Sequence, residues 1–314
     1  LNGLVANGDL TLKQRNQILV KMEDEVGEIV LDDAYCQAES ISVSELLGVS
    51  LVKEQIRFIH HLEKAGHLDR ALEYIPDDET LLEREKKGLA FTRPELSVLV
   101  AYGKMVLKEQ LVCDEIASDE YHKQLLVKYF PEELRRNYIE HAENHPLKAE
   151  IVATALANQM VNEMGCNFVT RLQEETGASV AQVANAYVAA REIYDFESIL
   201  KEIRKLDNVA ASEAQYELIF NVRRTLRRLS RWLIRNRTGA TNVSDLIALF
   251  KQDVSAVRTK LDEFLVPEEV EEHNDIAKSW MEEGVEERLA NRVARLSSLN
   301  SALDISTIAK ESGR

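Results

Sequence analysis

The stretch PLKAEIVATALANQMVNEMG, residues 146–165, determines how the rest of this chain must fold. Apolar side chains recur in it at three- and four-residue spacing, with alanines between them. The recurring positions are Ile151, Val152, Ala155, Leu156, Met160, Val161 and Met164. A helix with so little polar surface has to be surrounded by other helices. We expect Pro146 in its first turn, where a missing N–H breaks no helical bond, and Gly165 as its C-terminal stop.

Capping boxes mark several other helix starts, because a Ser or Thr there precedes a Glu or Gln by three residues. The pairs are Thr11 with Gln14, Thr92 with Glu95, and Ser179 with Gln182. Together with apolar periodicity they predict helices over 11–36, 43–65, 92–107, 118–129, 131–142, 179–194, 196–206, 211–236, 243–265 and 267–283, with shorter helices within 285–312. Gly103 lies inside one of them and is expected to permit close helix packing.

The predicted fold class is all-α, an array of packed antiparallel helices in two helical subdomains. Proline and glycine are scarce, and no stretch alternates apolar and polar residues for a useful length. Residues 66–90 are broken up by Pro76, Gly88 and an acidic cluster. We therefore expect a helical segment at 1–90 and a C-terminal helical domain at 91–314, with a boundary that permits a hinge.

The net charge of −15 argues against a general nucleic-acid binder, because neutralising phosphates requires a basic surface. No apolar run approaches the roughly 20 residues of a membrane span. Cys36, Cys113 and Cys166 form no C-x-x-C pair, which predicts reduced thiols in a cytoplasmic protein. The chain begins at Leu1 without a recognisable signal peptide, so we expect a piece of a larger polypeptide.

Motifs for catalysis are absent from the sequence. No two glycines are separated by one residue, so neither G-x-G-x-x-G nor a phosphate loop is present. His141 and His145 have the spacing of two metal ligands, but Pro146 follows at once and H-E-x-x-H is missing. No serine or cysteine lies in a nucleophile motif. We therefore predict no catalytic, cofactor-binding or metal-binding residue in this chain.

The main positive feature is the arginine-rich segment NVRRTLRRLSRWLIRNR, residues 221–237. On a helix its arginines form one broad face, with the apolar residues on another. The face contains Arg223, Arg224, Arg227, Arg228, Arg231 and Arg235. The simplest interpretation is that it pairs with acidic helices of the same chain, such as 267–287. The alternatives are an interaction or anion-binding face for an effector or an acidic partner and, last, contact with nucleic acid or membrane.

Two asparagines, Asn158 and Asn162, lie four residues apart among the apolar residues of the central helix. If they are buried they must be hydrogen-bonded. We expect a structural ladder to a neighbouring helix rather than a ligand site.

Several segments resemble the large NAD-specific glutamate dehydrogenases of bacteria. They are GDLTLKQRNQILVKMEDEV (8–26), HLDRALEYIPDDETLLEREKKG (67–88), TRPELSVLVAYGKMVL (92–107), EIVATALANQMVNEMGCNFVTRLQEETGASVAQVANAYVAAREIYD (150–195) and LDIS (303–306). They follow the order of that family. The likeness is weaker through 211–300.

The resemblance implies the helical C-terminal region that follows the catalytic region. The parent enzyme would convert L-glutamate, NAD and water to 2-oxoglutarate, ammonium and NADH, and no residue of this chain matches its catalytic or NAD-binding positions. The implied role is structural, oligomeric or regulatory, with the upstream catalytic region and further copies as partners. Residues 1–45 would pack on the catalytic region, so the chain alone should expose an apolar patch that includes Ile18, Met22 and Ile29. The alternative is a helical interaction module that binds an acidic partner through the arginine-rich helix at 222–237.

Overall fold

The computed structural model describes residues 1–236 and 242–312, and within these ranges the secondary structure is helical throughout, without a strand. The predicted all-α class is therefore confirmed. The α-helices are α1 (Asn2–Ala6), α2 (Leu12–Leu47), α3 (Val52–Lys64), α4 (Arg70–Glu73), α5 (Asp78–Lys86), α6 (Arg93–Leu111), α7 (Asp114–Ser118), α8 (Glu120–Tyr129), α9 (Glu132–Asn137), α10 (Ile139–Glu143), α11 (Lys148–Met164), α12 (Phe168–Thr176), α13 (Val180–Ile193), α14 (Phe196–Arg204), α15 (Ser212–Arg235), α16 (Val243–Thr259), α17 (Leu261–Phe264), α18 (Pro267–Glu282), α19 (Glu287–Ala294) and α20 (Ala302–Glu311). Short 3-10 helices span Gly48–Leu51 and Arg295–Ser301.

The helix α11 lies at the centre of the packing, as its apolar surface predicts. It contacts α2, α6, α7 and α8, and side chains such as Leu156 and Met160 are fully buried. Gly165 ends the helix with a φ of 89°, a conformation that favours glycine. Pro146 differs from its predicted place, because Leu147 is the N-cap and the proline precedes the helix.

The predicted capping boxes are all formed. Gln14 N donates to Thr11 Oγ1 over 3.2 Å, and Thr11 N donates back to Gln14 Oε1 over 2.9 Å. The box at Ser179 closes in the same way, and at Thr92 the backbone N–H donates to the Glu95 carboxylate over 2.7 Å. These local hydrogen bonds satisfy amides that the first turn leaves unpaired, so they fix where α2, α6 and α13 begin.

The helix α2 is longer than predicted. It runs past Cys36 to Leu47, and the next α-helix begins at Val52 rather than at 43. The added turns are held by burial, because Ile41 and Val43 belong to the same apolar core as α6 and α11. Among the described residues, no helix is long and apolar enough to span a membrane.

Gly103 permits the close packing that the sequence predicts. A Cβ atom at this position would lie 2.9 Å from the Cβ of Cys166 and 3.3 Å from its Cα. The backbone of α6 therefore passes directly over the turn between α11 and α12. A side chain here would force these elements apart.

Replacing Gly103 with alanine should destabilise the fold by about 1–3 kcal/mol, although alanine favours helix by about 1 kcal/mol. The control is Gly27→Ala in α2, where an added Cβ meets nothing within 4 Å. That variant should be neutral or slightly more stable. Urea unfolding of both variants measures the difference, and equal effects would contradict the packing argument.

Candidate functional site

Arg223 fixes the C-terminal end of α11. Its guanidinium is buried, and it donates to the carbonyl oxygens of Glu163 and Asn162 over 2.7 and 3.0 Å. It also donates to Ser40 Oγ over 3.1 Å, and that hydroxyl donates to the carbonyl of Val161. Burial lowers the pKa of Arg223 to about 10, which leaves it charged at neutral pH. One side chain of α15 therefore joins α2, α11 and α15.

A buried carboxylate, Glu163, is the second-last residue of α11, and both of its oxygens accept hydrogen bonds. Arg191 donates to it from Nε and Nη2 over 3.0–3.1 Å, and the Tyr187 hydroxyl donates over 2.5 Å. A second contact joins Arg191 to Glu197 over 2.9 Å. Burial alone would lower the pKa of Arg191, but the negative charge of Glu163 outweighs burial and raises this pKa well above its ordinary value.

A second buried ion pair joins α2 to α14. Arg204 donates from Nε and Nη2 to the two carboxylate oxygens of Glu39, each over 3.0 Å. Glu39 is 6% exposed. The bidentate geometry holds α14 against the C-terminal half of α2, since a shift of either helix would leave a buried charge unpaired.

A cavity of about 630 Å³ opens beside these pairs, between α2, α11, α14 and the turn at 129–131. Its apolar wall comes from α2, with Val26, Ile29 and Val30. The same helix adds the carboxylate of Asp33, and the opposite walls are polar and carry Asn158, Asn162, Glu163, Arg191, Lys201 and Arg204. The charged groups on these walls bind mostly to one another, so the cavity displays a mixed and largely paired surface.

The two asparagines of α11 both line this cavity but differ in their contacts. Asn162 donates from Nδ2 to Asp33 Oδ1 on α2 over 3.0 Å, which confirms the predicted contact to a neighbouring helix. Its Oδ1 is buried and has no hydrogen-bond partner among the described residues. Asn158 is half-buried at the cavity wall, so the ladder involves one asparagine rather than two.

The histidines considered as metal ligands have separate roles. His145 Nδ1 accepts a hydrogen bond from the backbone N–H of Leu147 over 3.1 Å, just before α11, whereas His141 lies in α10. In residues 1–236 and 242–312, no group of three or more His, Cys, Asp or Glu side chains could hold a metal ion.

Burial raises the pKa of the Cys36 thiol to about 11, which disfavours the nucleophilic thiolate.

The six arginines of the predicted face lie in four different environments. Arg223 is buried as described, and Arg231 and Arg235 bind Glu175 through its carboxylate (3.4 Å) and its carbonyl (3.0 Å). Arg227 is half-buried on the same side of α15. Arg224 and Arg228 are exposed to solvent. Position 237 of the predicted helix lies outside the described residues.

The expected pairing of this face with the acidic stretch 267–287 is wrong. Within the described part of the chain, the ion-pair partner of the face is Glu175, at the end of α12. Arg171 contributes to the same cluster and binds both Glu175 and Glu54. The pairing differs because α18 packs along α19 rather than along the C-terminal half of α15.

Sequence reasoning missed the two buried ion pairs, Glu163 with Arg191 and Glu39 with Arg204. One signal was available, since Glu163 is an acidic residue in an otherwise apolar part of the central helix. A buried carboxylate requires a cation, but its partner comes from another helix and has no fixed sequence spacing.

Replacing Arg223 with methionine should lower the free energy of unfolding by about 3 kcal/mol, because buried carbonyls and a hydroxyl lose their donor. The neighbouring exposed Arg224 provides the matched control, and Arg224→Met should change stability by less than about 0.5 kcal/mol. Urea unfolding monitored by circular dichroism compares the two. Similar losses would show that burial of Arg223 is unimportant.

Glu197 should make stability depend on acidity. Hydrogen bonds from Lys201 and Arg191 lower its pKa to about 2, against an ordinary value of 4.5. A lowered folded-state pKa stabilises the fold above pH 4.5, and this contribution disappears as pH falls towards 2. Glu197→Gln should therefore be less stable than the parent at pH 7, with the difference shrinking between pH 4.5 and 2. Unfolding midpoints across this range measure it. Glu109→Gln, at an exposed position that forms no ion pair with any described residue, should show no such trend.

Comparisons with known proteins match nearly the whole chain. Residues 88–314 match the family model "Glutamate dehydrogenase, C-terminal", and residues 1–44 match "Bacterial NAD-glutamate dehydrogenase, catalytic domain". The NAD-specific glutamate dehydrogenase of Halomonas elongata is 40% identical over 99% of this chain. Proteins of the same name from Pseudomonas aeruginosa and Mycobacterium tuberculosis are 38% and 30% identical over 97% of it.

The chain spans 19% of the length of each of these relatives. Its larger family match is to the part described as C-terminal, and its first 44 residues match the model described as the catalytic domain. The chain therefore belongs to the large NAD-specific glutamate dehydrogenases of bacteria and carries their C-terminal helical region.

Proposed function

We propose that this chain is the non-catalytic C-terminal helical region of an NAD-dependent glutamate dehydrogenase and braces the catalytic region. The parent enzyme would oxidise L-glutamate with NAD and water to 2-oxoglutarate, ammonium and NADH, in the cytoplasm. The observation that carries the proposal is an exposed apolar surface on α2, within the residues that match a catalytic-domain model.

The apolar strip of α2 consists of Leu12, Leu19, Val26 and Val30, which are 65%, 40%, 42% and 62% exposed. Their spacings of seven, seven and four residues place them on one side of the helix. A strip of this kind marks a surface that another part of the protein covers. Since residues 1–44 resemble a catalytic domain, the upstream catalytic region is the occupant that we propose.

The exposed patch differs in its members from the one that the sequence predicts. Ile18 and Met22 are each 7% exposed, so they belong to the packed side of α2, and Ile29 is 40% exposed. The short helix α1 lies against this part of α2, where Arg15 Nε donates to Asn2 Oδ1 over 2.9 Å. The outward side of the helix is therefore the apolar strip.

The cavity adjoins this surface, which supports a bracing role. Val26 and Val30 belong both to the apolar strip and to the cavity wall. A catalytic region seated on the strip would also cover the mouth of the cavity. It would then contact the buried ion pair of Glu39 and Arg204, which joins α2 to the helices behind it.

Replacing two exposed residues of the strip, Leu19→Gln with Val30→Gln, should abolish most binding of an apolar dye to this chain. In the complete polypeptide the same change should lower the soluble, assembled fraction and glutamate-dependent NADH formation in parallel. The matched control is Leu72→Gln with Met105→Gln, because these side chains are 72% and 50% exposed on other helices. Glutamine preserves helix propensity, so helical content should stay constant.

Three outcomes would overturn parts of the proposal. Dye binding and assembly that respond equally to both pairs of substitutions would contradict docking on the strip. Glutamate-dependent NADH formation by this chain alone would contradict a non-catalytic role. Normal assembly and turnover with altered cooperativity would show that the contact regulates the enzyme rather than bracing it.

A second candidate function is a helical interaction module, and the exposed arginines favour it. Arg224 and Arg228 have no ion-pair partner among the described residues, although the chain is strongly acidic. An acidic partner would fit them. The division into 1–90 and 91–314 also stays a proposal, supported by the non-helical stretches at 65–69, 74–77 and 87–92.

A further inference from the structure

A second cavity, of about 280 Å³, lies between α14, α16, α19 and the 3-10 helix that follows α19. Four arginines line this arginine cavity: Arg258, Arg288, Arg292 and Arg295. Among the described residues, no aspartate or glutamate belongs to its wall. In a chain with a net charge of −15, such a concentration of positive charge requires an explanation, because like charges repel one another.

Two of the four arginines are held by carboxylates that are not part of the wall. Arg292 donates to Asp195 Oδ2 over 2.7 Å and to Glu202 Oε1 over 2.8 Å. Arg295 donates from Nε and Nη2 to the two carboxylate oxygens of Asp262 over 2.8 and 2.9 Å. Such paired contacts fix the orientation of a guanidinium. These two arginines are therefore rigid and compensated parts of the wall.

The other two, Arg258 and Arg288, form no ion pair with any described residue. Arg258 is half-buried, and its Nη2 donates to the carbonyl oxygen of Tyr194 over 2.9 Å. Burial, followed by the positive charge of Arg292, lowers the pKa of Arg258, although the charge of Asp195 opposes this. Arg288 is exposed and lies one turn before Arg292 on α19, which places it at the mouth of the cavity. Two positive charges at this cavity thus lack a counter-charge.

The backbone at Asp195 supports a built site. Its φ of 56° and ψ of 43° lie in the left-handed region, which is uncommon for residues other than glycine. In this conformation both its carboxylate and its carbonyl oxygen accept from Arg292, over 2.7 and 3.3 Å. Uncommon backbone conformations cluster where they orient groups at functional sites. The turn that orients the arginine wall therefore points to binding rather than to a chance grouping of charges.

The floor of the cavity is apolar and its polar atoms are satisfied. Tyr194 and Leu299 are buried, and the tyrosine hydroxyl donates to the carbonyl oxygen of Leu299 over 3.1 Å. Leu261 and Leu296 are buried beside them. The volume lies near the lower end of the range for small-molecule sites, roughly 300 Å³. An occupant would therefore place a small carbon skeleton on the floor and its charged groups against the arginines.

We propose that the arginine cavity binds a small organic dianion, a dicarboxylate or a phosphate monoester, through Arg258 and Arg288. Its two negative charges supply the two missing counter-charges. Both ligand types offer the paired oxygens that a guanidinium fork binds best. The acidic surface of a large partner would reach the exposed Arg288 but not the half-buried Arg258. The bound ligand would join α16 to α19, and the proposal is independent of the docking of α2, because no residue of α2 lines this cavity.

Isothermal titration calorimetry of this chain with succinate and with ethyl phosphate tests the proposal, at neutral pH where both are mostly doubly charged. At least one of the two should bind and raise the midpoint of thermal unfolding, because it binds only the folded chain. Butyrate has one carboxylate on the same carbon chain as succinate and should bind about tenfold more weakly or worse. Binding of succinate alone assigns a dicarboxylate site, and binding of ethyl phosphate alone assigns a phosphate monoester site.

Substitutions locate the binding. Arg258→Met with Arg288→Met should weaken it about tenfold or more, because charged hydrogen-bond donors are lost. Arg288→Met alone changes an exposed side chain, so it should leave helical content intact and weaken binding about threefold. It decides the question if the double variant loses helical content. The matched control is Arg224→Met with Arg228→Met, which removes the same charge from exposed positions of α15 and should bind like the parent.

Three results would overturn the proposal. They are the absence of binding by both dianions, binding of butyrate as tight as that of succinate, and equal losses of affinity in the cavity variants and the α15 control. The last result would show that the net charge of the chain, rather than the arginine cavity, determines the binding.

Discussion

The end of the central helix is the constraint on which the rest of this structure depends. The last carbonyls of a helix have no partner within it, and at the end of α11 the surrounding helices exclude water. Arg223 supplies the missing donors for Asn162 and Glu163 and then reaches Ser40. Because the arginine belongs to α15 and the serine to α2, satisfying one helix end sets the positions of two others.

The neighbouring buried ion pairs fix the positions of further helices in the same way. Removing Glu163 and Arg191 from water is costly, and their attraction offsets this only in one good geometry. The pair of Glu39 and Arg204 imposes a similar condition on α2 and α14. Such contacts contribute less to net stability than to selecting one arrangement of helices, because a different register would leave a charge buried alone. An array of amphipathic helices would otherwise have several packings of similar free energy.

Local features of the sequence were sufficient to predict where several helices begin or end. Capping boxes and glycine stops depend on residues three or four positions apart, so Thr11, Thr92, Ser179 and Gly165 could be interpreted without the fold. The extension of α2 to Leu47 could not, because burial against other helices holds its last turns.

The site was predictable only in part, for the same physical reason. The periodicity of α15 placed its arginines on one face but did not show that Arg223 points inward. That outcome depends on the end of α11, 60 residues earlier in the chain. The buried pairs also join distant helices, and the cavity arises only after these helices meet. Contacts between helices that are distant in the chain have no fixed spacing in the sequence. For this reason an exposed apolar surface on α2 was expected, but two of the residues assigned to it, Ile18 and Met22, are buried.

The length of α2 has a mechanical consequence. Its 36 residues span about 54 Å at 1.5 Å per residue. The last third of the helix, from Cys36 onward, is packed in the core, while the part that carries the apolar strip lies along the surface. That part is held by the packing of Ile18 and Met22 and by the ion pair of Glu25 with Arg135, and where these contacts yield the stiff helix acts as a lever. A tilt of about 5° at Cys36 would displace Leu12 by about 3 Å, since roughly 36 Å of helix separates them. Movement of the region that we propose to bind the apolar strip would therefore be transmitted through α2 to the ion pair between Glu39 and Arg204.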